Sequence, residues 1–150
     1  MSNIHKAFEN HKAFIPFITV GDPDLQTTKK VVQAAVDNGA DLVELGIPCS
    51  DPTAEGPVIM EADNRALSAG TTTDKVFALT HELRKTITVP MVYMTYANVV
   101  FSYGTEKFAQ KAQEAGIDGL ILPDVPYEEK ADFDGAFAKR GMDLISMIAP

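Results

Sequence analysis

Short apolar runs alternate along the chain with longer stretches in which apolar residues recur at helical spacing. Phe14 to Val20, Leu42 to Ile47, Met91 to Tyr96, Leu120 to Leu122 and Leu144 to Ile148 are the short runs, rich in Val, Ile, Leu and Met. Such runs are expected of parallel strands covered on both faces. Between them, Val31, Val32, Ala35 and Val36 form an i, i+4 stripe after Asp24, a residue suited to cap a helix start. Val76, Leu79 and Leu83 mark a second stripe, followed by Arg84 and Lys85 where cations meet the negative end of a helix dipole. Phe108, Ala109, Ala112 and Ala115 follow Thr105, and Phe133 and Phe137 follow Glu128 and Glu129. Ile4 and Phe8 are spaced to share one side of a short helix.

The helix-to-strand joint repeats. Gly39-Ala-Asp41, Gly116-Ile-Asp118 and Gly141-Met-Asp143 each stand just before an apolar run. Glycine there suits the left-handed backbone that ends a helix. One joint used repeatedly implies one repeated α/β unit with parallel strands. An open doubly wound sheet and a (β/α)8 barrel of the TIM type both fit. The first usually carries G-x-G-x-x-G after its first strand, whereas here Gly21-Asp22-Pro23 follows. The barrel is favoured, though the repeat alone does not separate the two. It is expected to be incomplete as it stands, with about five β/α units where eight strands and roughly 250 residues are usual.

Composition narrows the function classes. The 150 residues are 45% hydrophobic and 23% charged, as in ordinary globular domains. A net charge of −8 and the lack of any basic stripe argue against nucleic acid. The opening residues hold no apolar run long enough for a signal peptide or a membrane span. Cys49 is the single cysteine, so no internal disulfide can form and a cytoplasmic setting is expected.

Glu44 is the first chemical anomaly, because it interrupts an apolar strand. Alternation places it on one face with Leu42 and Gly46, opposite Val43, Leu45 and Ile47. A carboxylate there loses hydration, which raises its pKa towards the range useful for proton transfer. It reads equally as a buried structural acid paired with a cation, although no obvious Lys or Arg partner stands nearby in the sequence. The following loop, Cys49 to Pro57, is stiffened by prolines and holds Asp51 and Glu55. These acids could serve a site at the barrel mouth, or plain turn chemistry. Pro57 fits the first position of a helix. Tyr96, Asn98 and Asp124 also follow strands, and Asp124-Val-Pro126 reads equally as a helix-entry turn. The histidines at 5, 11 and 81 show no metal-ligand spacing, and no Walker-type loop is present.

Phe14-Ile-Pro-Phe-Ile-Thr-Val-Gly-Asp-Pro23, Glu44-Leu-Gly-Ile-Pro-Cys-Ser-Asp-Pro52, Ala54-Glu-Gly-Pro57, Met94-Thr-Tyr-Ala-Asn98 and Pro123-Asp-Val-Pro126 resemble the tryptophan synthase alpha chain family, in order from about Phe14 to Pro150. The resemblance implies that residues 1–150 are the N-terminal portion of a single barrel domain. It also implies a lyase that splits indole-3-glycerol phosphate into indole and glyceraldehyde 3-phosphate, in tryptophan biosynthesis. Glu44 matches the family's acid/base carboxylate, and Glu55 the carboxylate that holds the indole N–H. Phe17, Met94, Tyr96, Ile121 and Met147 fall at positions lining the indole pocket. Pro48, Asp51, Asn98, Phe101 and Pro126 fall on the surface that docks on the tryptophan synthase beta chain, a pyridoxal phosphate enzyme. No cofactor is implied for the present chain.

Two residues depart from the family pattern. Glu55 stands where Asp is typical, and Cys49 where an aromatic residue is usual. A catalytic group displaced by ~1 Å can cost on the order of 10²-fold in rate. The phosphate-binding loops that follow strands seven and eight of such barrels are absent from these residues. Little lyase activity is therefore expected of this chain alone, and either self-association or continuation into a longer polypeptide. The alternatives are a non-catalytic half-barrel that docks on the beta chain and modulates it, and a barrel enzyme acting on another phosphorylated carbon chain.

Overall fold

The computed structural model describes residues 3–9 and 11–148. Five strands, β1 (Phe17–Thr19), β2 (Val43–Gly46), β3 (Met91–Met94), β4 (Gly119–Ile121) and β5 (Asp143–Ile145), form one sheet in the order β1-β2-β3-β4-β5. Every neighbouring pair is parallel. A doubly wound sheet reverses its strand order at a switch point, whereas a barrel wall adds each strand beside the last. The unreversed order is the barrel's. Among the described residues, β1 and β5 each pair on one side only. Both are shorter than their apolar runs, β1 lacking Phe14 to Pro16 and β5 stopping before Ser146.

Among the described residues six α-helices fall between these strands, singly or in pairs: α1 (Leu25–Asp37), α2 (Pro57–Ser68), α3 (Thr73–Leu83), α4 (Ala97–Tyr103), α5 (Thr105–Ala115) and α6 (Ala131–Ala138). The Asp24 carboxylate accepts the Thr27 N–H at 2.7 Å and starts α1. Thr72 does the same for α3 through Lys75 N–H, and Pro57 opens α2. The stripes of α3, α5 and α6 are buried as their spacing requires. Three expectations needed correction. Val31 is exposed, because α1 lies beside the edge strand, where less sheet is available to cover it. Phe8 is also exposed, and the 3-10 helix Ile4–Phe8 buries Ala7 instead. Arg84 does not serve the dipole of α3. Its guanidinium donates to the carbonyls of Ile87, Val89 and Gly116 and to the Asp118 carboxylate.

The repeated joint has a concrete role. Gly39, Gly116 and Gly141 adopt positive φ of 93°, 85° and 73°, which end their helices. At the first two joints the aspartate two residues later then reaches back to an earlier segment. Asp41 accepts the Phe14 N–H at 2.8 Å, and Asp118 accepts the Met91 N–H at 3.0 Å. Each such bond pins the start of one strand to the start of its neighbour.

The sheet has two unlike faces. Val43, Leu45, Tyr93, Leu120 and Leu144 pack against the helices in the main core. There Phe77 meets Tyr93 and Phe108 edge to face, at centroid distances of 5.7 and 5.2 Å. The opposite face carries Leu42, Val92, Met94, Ile121 and Ile145, with Ile4, Ala7 and Ala13 of the N-terminal segment packed onto it. The side chain of Ile4 reaches as far as Gly119, where an added Cβ would lie 2.8 Å from it. That second face is the inner wall of the barrel, closed at one end by the N-terminal segment.

Candidate active site

Glu44 lies on the inner face, between Leu42 and Gly46. The ladder sets it beside Phe17 of β1 and Val92 of β3. One step further along the strands, Gly46, Met94, Ile121 and Ile145 make the next row. The Phe17 ring closes over Gly46, so near that an added Cβ would sit 2.5 Å from its tip. Glycine there leaves room for the tip of the ring against the strand. Glu44 is half-buried, and among the described residues no cation or hydrogen-bond donor engages its carboxylate. Burial alone pushes its pKa above the ordinary carboxylate value. An unpaired acid on an apolar wall is suited to giving and taking a proton, not to holding the fold together.

The loop from Pro48 to Gly56 follows the end of β2 and is tied down at two places. Cys49 N–H donates to the Asp63 carboxylate at 3.4 Å, and Ala54 N–H donates to the Tyr96 hydroxyl oxygen at 3.2 Å. Tyr96 is 3% exposed and stands at the start of α4. Burial raises its phenol pKa, and the neighbouring Glu55 charge adds to the effect. Glu55 is half-buried, turned towards Asp63 and Tyr96, and its Oε2 is buried without a hydrogen-bond partner.

Asp63 did not stand out in the sequence as a site residue. It is 4% exposed, and burial together with the nearby Glu55 charge pushes its pKa up to about 6. A signal was available: Ile59, Ala62, Asp63 and Ala66 share one helical stripe, which places an acid on the face that α2 buries.

The other expected residues divide. Phe17, Met94 and Ile121 gather on the inner face around Glu44, and Tyr96 anchors the loop beside them. Met147 follows β5 and is 59% exposed, outside this cluster. Of the expected partner surface, Asp51, Asn98, Phe101 and Pro126 are exposed, while Pro48 is buried. Pro48 and Asn98 line a common shallow cavity of about 370 Å³. Asp124 accepts the Ala97 N–H with both carboxylate oxygens at 3.1 Å, so it braces the start of α4 from the next loop. Among the described residues no three His, Cys, Asp or Glu side chains converge as metal ligands, and no helix is long and apolar enough to cross a membrane.

The family model of the tryptophan synthase alpha chain matches residues 4–150. The chain belongs to that family. The tryptophan synthase alpha chain of Lacticaseibacillus casei is 47% identical over 150 residues, covering 100% of this chain and 56% of the relative. That of Methanosarcina barkeri is 49% identical over 138 residues, covering 92% and 52%. The crystal structure of tryptophan synthase subunit alpha from Legionella pneumophila superposes with a TM-score of 0.92 at 42% identity, covering 96% of this chain and 57% of that one. The alpha-chain fold also matches within the tryptophan synthase complex of Pyrococcus furiosus, with a TM-score of 0.86 at 34% identity over 91% of this chain and 56% of that one. The chain thus spans about half the length of the relatives it matches, and its five β/α units are part of their TIM barrel.

Proposed function

We propose that the chain supplies the proton-transfer part of a lyase site that splits indole-3-glycerol phosphate into indole and glyceraldehyde 3-phosphate, and that residues 1–150 are the N-terminal portion of a single barrel domain. One observation carries the reading: Glu44 is half-buried, unpaired and raised in pKa by burial, on the same wall as Phe17, Met94 and Ile121. Breaking the carbon–carbon bond to the indole ring needs a proton at ring C3. As the bond breaks, its electron pair stays with the ring and the side-chain hydroxyl becomes the aldehyde, losing its own proton. Glu44 gives the first proton and takes the second, ending as it began. Phe17, Met94, Tyr96 and Ile121 form the apolar and aromatic surroundings that suit a flat ring. Glu55 accepts the indole N–H and offsets the positive charge that develops on the ring nitrogen.

The assembly follows the same reading. The Pyrococcus furiosus relative is described as an α2β2 complex. By likeness, Asp51, Asn98, Phe101 and Pro126, with Pro48 beneath them, face a beta chain here. A cytoplasmic setting accords with the single thiol, which a reducing compartment keeps free. A second reading is a non-catalytic module that docks on the beta chain, for which the exposed Asp51, Asn98, Phe101 and Pro126 would supply the contact surface.

The test joins residues 1–148 to the remaining strands of the Legionella alpha subunit at the matching position. The hybrid should cleave indole-3-glycerol phosphate. Glu44→Gln should lower kcat by ~10²–10⁴-fold, the usual loss when a general acid/base is removed, while substrate and beta-chain binding persist. The 150-residue chain alone should turn over little. Full turnover by the Glu44→Gln hybrid would overturn the catalytic reading, and a hybrid that activates the beta chain without cleaving substrate would favour the docking module.

A further inference from the structure

Glu55 is assigned a role at the indole nitrogen, yet in this structure it is turned inward, with one carboxylate oxygen buried and unbonded. A charged oxygen in that position is costly to keep unless something compensates it. What lies beside it is the carboxyl of Asp63, on the buried stripe of α2. From its own helix Arg65 is engaged elsewhere, held by both oxygens of Asp22 at 2.8 Å. From the β1–α1 loop Asp22 contributes a further negative charge, and from the loop after β2 come Glu55 and the Cys49 N–H. Beyond Glu55 stands the Tyr96 phenol, which receives the Ala54 N–H. Among the described residues no cation therefore neutralises the Glu55–Asp63 pair. Two neighbouring buried carboxylates cannot both ionise cheaply, so the protonated form of one is favoured while they stay close.

We propose that Asp63 is a positioning residue for Glu55: protonated, it keeps Glu55 tucked under the loop, and ionised, it turns Glu55 out towards the strand ends where the indole nitrogen would lie. The inference rests on the function proposed above and names what controls one of its two carboxylates. No group transfer to substrate is involved, since the proton leaving Asp63 goes to solvent. The Cys49 N–H is the pivot. It donates to Asp63 in either state, and more strongly to the carboxylate, so the start of the loop stays anchored while Glu55 moves. The Ala54–Tyr96 bond lies one residue from Glu55 and must adjust as it swings. With the Asp63 midpoint about 6, some ten molecules carry the ionised form for each protonated one at pH 7. Acidification by two pH units reverses that ratio.

The test is an NMR titration, between pH 4 and 8, of the hybrid barrel described above. It follows the Asp63 carboxyl carbon, the Glu55 side chain and the amides of Cys49 and Ala54. All four should move in one step centred near the Asp63 midpoint. In Asp63→Asn the step should vanish from Cys49, Ala54 and Glu55 together, because shape is kept and the ionisation is gone. A purely structural Asp63 would not produce that pattern. Should Asp63→Asn fail to fold, Glu55→Gln serves instead, and the Asp63 midpoint should then fall as the opposing charge is removed. A Glu55 signal indifferent to Asp63→Asn, or an Asp63 midpoint indifferent to Glu55→Gln, overturns the proposal. A linked titration combined with a lyase-inactive hybrid leaves the positioning device intact and removes the catalytic reading. An active hybrid with unlinked titrations does the reverse.

Discussion

Asp63 shows how one buried acid inverts the usual relation between pH and stability. An aspartate whose pKa rises on folding holds its proton more tightly in the native state than in the unfolded chain. Between the ordinary value of 3.8 and about 6 the native state binds more protons, so this group's contribution to stability is present at low pH and lost as pH rises. The loss amounts to up to about 3 kcal/mol at neutrality. Asp63→Asn should therefore gain on the parent chain between pH 4 and pH 7, read as the difference between their urea midpoints at each pH. A constant difference would show that Asp63 titrates normally. Gly46 makes a second point at this scale. Gly46→Ala drives a methyl into the Phe17 ring, and overpacking of this kind costs about 1–3 kcal/mol. Indole affinity of the hybrid enzyme should weaken as the ring is displaced from beside Glu44, and unchanged affinity would mean that Phe17 does not line the pocket.

At the scale of elements, the joint between helix and strand carries much of the order. Arg84, at the end of α3, satisfies the carbonyls of Ile87 and Val89 before β3 and, across at the Gly116–Asp118 joint, the Gly116 carbonyl and one half-buried carboxylate. Removing it leaves those acceptors unpaired, and hydrogen bonds to charged groups are individually worth about 1.5–3 kcal/mol. Arg84→Ala should lower stability by about 2–3 kcal/mol. Arg84→Lys should recover little of it, since a point charge cannot serve four acceptors that a planar fork spans. Urea denaturation distinguishes the two, and full recovery by lysine would reduce the contact to simple charge attraction.

For the whole molecule, the decisive feature is an inner wall whose outermost strands, β1 and β5, pair on one side only among the described residues. Exposed Phe14 stands before β1, and exposed Met147 and Ile148 stand after β5. Open parallel edges flanked by apolar residues are templates for association. The 150-residue chain on its own should therefore sediment above the monomer mass at micromolar concentration. A stable monomer would show that the N-terminal segment packed on the inner face is cover enough.

Much of this was legible along the chain because it is local. Apolar runs, helical stripes and the Gly-x-Asp joints placed all five strands, and each strand lies within or next to its run. The single acid in the β2 run singled out Glu44 without any tertiary knowledge, since alternation alone decides which face a strand residue takes. The short helix α4 escaped notice, because Ala97 to Tyr103 shows no stripe separable from the strand before it. Strand order, and with it the choice between open sheet and barrel, was decided only in three dimensions, because the same repeat serves both. So was the direction of Glu55. A loop residue has no periodicity to orient it, and what it faces depends on α2 and α4, which bring Asp63 and Tyr96 to it from eight and 41 positions further along the chain. Sequence sets what each segment prefers to bury, while electrostatic neighbours between distant segments exist only once the fold has brought them together.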